Sequence, residues 1–528
     1  MTRGYFPGRV IPPVNSLGLG TALTDMLNYV RPIASKMVQK KANKLRSRCV
    51  THSIPKRKHL RRTLSIPNPF HQCMLSDEIA TNWLELEEFC SKSPFSLSAP
   101  ILDSTRSIDR KTPLNIQPQF RAHRSVGRRY LLKTDIARFY PSIYTHSIPW
   151  ALHGKPAARK DTQYQLLGNR LDLWTRETQD KQTGRIPIGP DSSFLIGEIV
   201  GTALDLELKD RLPALRGTRN IDDYYLYFDS VSDAETGLAA LHSIARQFEL
   251  EINDPKTEIV QLPDILEPSW KSELRNIVIR KTPQPQATDL LNLFDRAFEH
   301  SKNFPTDNVL TYAARQVLSS DIFEENWELC EALLLKAAIA EPTMMSVLEL
   351  IYDNYASYHT SNDALASALY SICYYHAPLQ QGNEVSWALW LARKLNVPIP
   401  KSVADAVAKL DDDVVALVAL DLLEQGNFDT DQLELWYGHM AGSSLYEDHW
   451  LLAYEAHEHG WQPTTVKKDY VAADPFFSIL QTHGVRFYGD GLAATTSYME
   501  YGEEEIEGID PDDYDPEEPE EEVDEIGL

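Results

Sequence analysis

The sequence predicts a mixed α/β domain followed by an all-α repeat domain and an acidic tail. Three observations carry this. Short apolar and aromatic strands, "RYLLKTD" and "DDYYLYF", alternate with segments of helical periodicity between residues 130 and 260. From about residue 265 the signal is almost wholly helical, in apolar-striped segments closed by Pro or Gly-Asn. The last segment, "EEEIEGIDPDDYDPEEPEEEVDEIGL", is too charged and Pro-rich to bury a core, so disorder is expected there.

Residues 1–64 hold 14 Lys and Arg against one acidic residue, Asp25, and read as a basic N-terminal arm. Such an arm is either a solvated face or a contact for phosphates, where each cation releases a counterion. "SIPNPF" then enters a helix, "QCMLSDEIATNWLELEEFC". "SSFLIGEIVGTALDLELKDRL" places Leu195, Ile199, Leu204 and Leu208 on one helical face. "NIDDYYLYF" reads as strand, turn, strand, and "SDAETGLAALHSIARQFEL" as an amphipathic helix. "NWELCEALLLKAAIAEP", "EVSWALWLARKLNVPIP", "DDVVALVALDLLEQGN" and "DHWLLAYEAHEHGW" suggest stacked helical hairpins of solenoid type, without a fixed period. The boundaries follow: 1–64 basic arm, 65–264 α/β domain, 265–495 helical repeats, 496–528 acidic tail.

The net charge of −24 conceals an asymmetry, because residues 501–528 carry 15 acidic groups and no Lys or Arg. No run of about 18 apolar residues appears, so no membrane partner is expected. The N-terminus lacks a signal-peptide core, and five scattered cysteines without a CxxC pair fit reduced thiols, so a cytoplasmic protein is expected.

The chemistry-bearing residues are weak singly. Asp135 follows an apolar strand in "YLLKTDIARFYPSIY" and reads alone as a helix cap. "GRIPIGPDSSFLIGEI" is a Gly/Pro loop opening a helix. Asp222 and Asp223 sit together in "NIDDYYLYF", as a turn or as a metal-binding pair. Lys256 lies in the turn "NDPKTEIV".

In this order they resemble the palm motifs of reverse transcriptases. The resemblance is closest to the bacterial abortive-infection and related defence-associated members. "LKTDIARFYPSIYTHSIPWALHGK" is near a signature of that branch, "RNIDDYYLYF" looks like its Asp-Asp hairpin, and "WLLAYEAHEHGW" and "GVRFYGDGL" resemble its helical C-terminal half. The match spans about residues 65–490. It implies a right-hand polymerase with fingers and palm, followed by a HEAT-like solenoid. It also implies RNA-directed DNA polymerase or nucleotidyltransferase activity on dNTPs in antiphage defence.

Nucleotidyl transfer needs two Mg²⁺ ions about 3.5–4 Å apart, with Mn²⁺ as a substitute, held by carboxylates plus substrate phosphates. By the resemblance, Asp135, Asp222 and Asp223 are the metal ligands. Side chains alternate along a strand, so Asp222 takes the stronger part and Asp223 a supporting one. Tyr140 lies where an aromatic gate excludes a ribose 2′-hydroxyl. Ile188, Gly189 and Pro190 line the incoming nucleotide, with Pro187-Ile188-Gly189 replacing the family's Pro-Gln-Gly. Lys256 would meet the pyrophosphate, and Arg128, Arg129 and Lys133 the triphosphate. Asn220 stands where many relatives have an aromatic residue.

The resemblance further implies a DNA product, a homo-oligomer, and either priming from a tyrosine of the protein with little or no template, or a dedicated noncoding RNA. Candidate priming tyrosines on segments read as flexible are Tyr5, Tyr29, Tyr498, Tyr501 and Tyr514. A non-catalytic nucleic-acid-binding assembly protein is the third reading, disfavoured by three intact aspartates.

Overall fold

The computed structural model describes residues 1–39, 45–57, 60–358, 362–466 and 468–489. The acidic tail, with Tyr498, Tyr501 and Tyr514, lies outside the described residues. No helix among those described is long and apolar enough to cross a membrane, and all five cysteines are free thiols.

Among the described residues, eight strands form three antiparallel sheets. A hairpin joins β1 (Val50–Arg57) to β2 (Leu60–Ile66), and a small ribbon joins β3 (Pro100–Leu102) to β4 (Ile108–Arg110). The central sheet contains β5 (Tyr130–Asp135), β6 (Arg216–Asn220), β7 (Asp223–Phe228) and β8 (Glu258–Gln261), in the order β6-β7-β5-β8. Aromatic and β-branched residues suit this half-buried pleated surface. Its buried face packs Leu132, Tyr224 and Leu226 against the helices Asp191–Arg211 and Val231–Gln247. The strand and helix expectations match these elements, except that the strand expected at 250–252 is reduced to an isolated bridge between Ile252 and Ile136. The helix expected after "SIPNPF" is broken at Asn82 into Pro69–Thr81 and Trp83–Ser91, and the Asn82 side-chain amide donates back to the Glu78 carbonyl.

Beyond the sheet, helices stack side by side: Pro283–Asn303 on Val309–Leu318, then Asn362–His376 on Gly382–Lys394, Asp413–Glu424 and Trp450–His459 in succession. Their apolar faces join the sheet domain in one continuous core.

The first 64 residues require a correction. Their described residues are not a solvated arm: Tyr5, Phe6, Val10, Ile11 and Val14 are buried. Helix Leu19–Val38 buries Leu19, Ala22, Met26 and Val30. Phe6 stacks on Phe487 with ring centres 5.5 Å apart, and Asn15 N–H donates to the Phe487 carbonyl at 2.9 Å. The β1–β2 hairpin clasps the helical half through Arg61–Glu384 and through His52–Asp412 at 2.8 Å. Positive charge thus rides on the outward side of a segment whose apolar side ties the two halves together.

Candidate active site

Asp135 ends β5 and lies in register with Asp223, which opens β7. Between Asn220 and Asp223 the chain turns in two residues, Ile221 and Asp222. Ile221 has φ +55°, the left-handed region that a β-branched side chain avoids. Its backbone is held on both sides: Ser98 Oγ accepts from its N–H at 2.7 Å, and Arg219 donates to its carbonyl at 2.7 Å. Such a conformation costs about 1–3 kcal/mol and persists only where its surroundings impose it. Here it sets Asp222 at the tip of the hairpin.

The restraint comes from a buried charge network. Arg219 is fully buried and paired with Glu198 at 2.9 Å and Asp205 at 2.8 Å, both buried on helix Asp191–Arg211. Ser98 donates to Glu198 at 2.6 Å, and Tyr224 donates to Asp205 at 3.0 Å. Gly201 leaves the space for the guanidinium, since a Cβ there would lie 2.7 Å from it. Sequence reasoning missed this network. Its signal was Glu198 and Asp205, two turns apart on an otherwise apolar helix face.

Lys256 comes to Asp135 through the turn after helix Val231–Gln247, where Asn253 N–H donates to the Asp135 carbonyl at 2.9 Å. Its ammonium pairs with Asp135 Oδ2. Asp135 is buried, and its other oxygen, Oδ1, has no hydrogen-bond partner. A buried carboxylate oxygen in that state calls for a cation or a donor. Asp222 is half-buried. Burial pushes its carboxyl up to about 7, with the negative charges of Asp223 and Asp135 acting in the same sense and Lys256 opposing. The donor set therefore fits a divalent cation: carboxylates in mutual repulsion, one lysine supplying part of the missing positive charge, and an unsatisfied oxygen.

A pH dependence follows. The folded-state value of Asp222 lies above the ordinary 3.8. The folded chain then holds a proton that the unfolded chain has lost, so this contribution is complete below 3.8 and disappears as pH rises through about 7. In chelator-treated protein the melting temperature should fall from about pH 4 to about pH 7 and level off above, and Mg²⁺ should shrink the fall. An unchanged slope in Asp222→Asn would show that another group is responsible.

Asp222 and Asp223 open into a chamber of about 1420 Å³ between the sheet, the hairpin and the helical half, while Asp135 lies buried behind its wall. Of the expected substrate contacts, Tyr140, Ile188, Gly189, Pro190, Arg128 and Lys133 line it, as do Asp222 and Asp223. Arg129 does not: it is exposed, and its backbone zips to Phe228 and Leu262 at the far end of β5. Arg128 is drawn to Asp229 at 2.7 Å. Asn220 Oδ1 accepts from Gln117 at 3.2 Å, which ties the hairpin to helix Gln117–Ser125. Cations that the sequence did not single out also line the chamber: Lys56 and Arg62 from the hairpin, Arg121 over the Tyr225 ring at 4.7 Å, and Lys271 and Arg315 from the helical half.

The Gly/Pro loop is braced from the N-terminus. Ser65 N–H donates to the Ile188 carbonyl at 2.8 Å, and Asp191 N–H to the Gly4 carbonyl at 2.7 Å. Asp191 is buried with Arg106 as its ion partner. Gly189 has φ +128°, and a Cβ there would lie 2.5 Å from Cγ of the Pro7 ring. Gly189→Ala should cost about 1–3 kcal/mol from backbone conformation alone, with the clash added, read as a lower urea midpoint.

Tyr5 is corrected as a priming candidate. It is buried, its hydroxyl donating to the Pro67 carbonyl. Tyr29 packs against Phe70 and Phe476 and does not line the chamber.

No family model matches the chain, and no curated protein matches it. Among solved structures it is similar to apo telomerase from Candida tropicalis, at 11% identity over 75% of this chain and 72% of that one, with a TM-score of 0.32. A likeness that loose leaves the site to be read from its own geometry.

Proposed function

We propose that this protein is a DNA polymerase of reverse transcriptase type, adding dNTPs with two Mg²⁺ ions. One observation carries the reading: buried Asp135, with its partnerless Oδ1, acts electrostatically on Asp222, and Asp222 lines a large chamber together with several cationic side chains. Asp135 and Asp222 would hold the metals and Asp223, exposed beside them, would support. When bound, the ions activate the attacking hydroxyl and stabilise the leaving pyrophosphate. Lys256 pairs with Asp135 and would turn to a triphosphate once cations take that carboxylate. The Tyr140 ring packs by Gly197, where a sugar would sit on it, and the Ile188–Gly189 backbone offers close approach.

Basic side chains from three parts of the chain fit a nucleic-acid strand as well as a nucleotide. The antiphage role rests on the sequence resemblance. Priming from a protein tyrosine, with little or no template, is our preferred start. Burial of Tyr5 moves that role toward Tyr498, Tyr501 and Tyr514. The test is incubation of the purified protein with Mg²⁺ and labelled dNTPs. DNA made without RNA and released only by proteolysis supports protein priming. Loss of product after ribonuclease treatment supports a noncoding RNA template instead. No incorporation leaves the assembly-protein reading.

A further inference from the structure

Far along the helical half, three consecutive aspartates each meet a histidine. Asp412 caps helix Asp413–Glu424 and takes His52 from β1. Asp413 is buried, accepting from His449 Nδ1 at 2.7 Å and from Leu452 N–H at 3.0 Å. Asp411 Oδ1 faces His439 Nε2 at 3.0 Å and His449 Nε2 at 3.6 Å. The rings of His439 and His449 stack with centres 3.5 Å apart.

Three donor atoms converge here: Asp411 Oδ1 and the Nε2 atoms of His439 and His449, the ligand types that a divalent cation takes. Among the described residues, Asp411, His439 and His449 are the one group of three such side chains whose donor atoms all lie within 4.8 Å of one another. Asp413 orients His449 as outer carboxylates orient metal-bound imidazoles. Gln380 fixes Asp411 by accepting from its N–H at 3.1 Å.

We propose that Asp411, His439 and His449 form a second metal site, for a borderline transition metal of the zinc class. Two imidazoles and one carboxylate suit such an ion, whereas the carboxylates of the chamber suit Mg²⁺. Asp411 is half-exposed, which leaves a ligand position open to water. The ion would clip three elements together: the loop before helix Asp413–Glu424, the end of helix Glu434–His439, and the start of helix Trp450–His459.

The test uses the full chain, stripped by chelator and then titrated with Zn²⁺ in excess Mg²⁺. One equivalent should survive gel filtration and raise the melting temperature. His439→Ala and Asp411→Asn should each retain none and show no rise, while their stripped melting temperatures and nucleotide incorporation match those of the unaltered protein. Asp135→Asn should keep the zinc, which separates this site from the chamber. Co²⁺ in place of Zn²⁺ should give visible absorption with wild type and lose it in His439→Gln, a milder change. Absence of retained zinc, or zinc retained equally by His439→Ala and Asp411→Asn, overturns the proposal.

Discussion

Asp135→Asn and Asp222→Asn should each lower nucleotide incorporation by about a thousandfold or more, the equivalent of roughly 4 kcal/mol in the barrier. The two aspartates are separate in sequence and joined only through the hairpin and its partner strand. Asparagine keeps the shape and one acceptor oxygen but removes the charge that balances a divalent ion. In Asp135→Asn the Lys256 ammonium also loses its partner, so a smaller second effect should appear as a raised KM for dNTP. In Asp222→Asn the repulsion with Asp223 and Asp135 disappears. That variant should therefore be at least as stable as wild type above pH 7 while inactive. Lost activity with intact stability separates a chemical role from a structural one, and incorporation assays paired with thermal melts read both. Asp223→Asn should cost less than either.

Arg219→Ala should destabilise the protein by about 3–5 kcal/mol, because removing one member of a buried ion network strands the others. Glu198 and Asp205 would be left buried without their cation, and Burial already pushes the Asp205 carboxyl upward against the pull of Arg219. The variant also frees the Ile221 carbonyl, so the strained turn loses one of its two restraints. Urea unfolding should show a lower midpoint at an unchanged slope. Combining it with Asp205→Asn should cost less than the two changes summed, since the pair is directly coupled. Full additivity would mean the network is not the source of the effect.

The carboxylate site was legible because its parts are local. Asp135 ends an apolar strand, the Asp-Asp pair sits on a two-residue turn, and Lys256 follows in a Pro turn. The order of these pieces survives in one dimension. The helical half was legible through its apolar stripes. What escaped depends on long-range contacts. A count of charges over residues 1–64 averaged away the stripe Leu19, Ala22, Met26 and Val30, which anchors that segment. No residue type announces φ +55° at Ile221, because the conformation is imposed by Ser98 and Arg219 from elsewhere. The histidines that meet Asp411–Asp413 come from distant positions 52, 439 and 449. Asn220 now has a partner in Gln117, though nothing in the structure explains the missing aromatic ring.

The most direct measurement is a crystal structure of the full chain with Mn²⁺ and a non-hydrolysable dNTP, using the anomalous signal of manganese. Two peaks about 3.5–4 Å apart, bracketed by Asp135 and Asp222, with Lys256 withdrawn from Asp135 and the sugar over Tyr140, are the predicted result. A nucleotide bound elsewhere, or no manganese at Asp135 and Asp222, would contradict it.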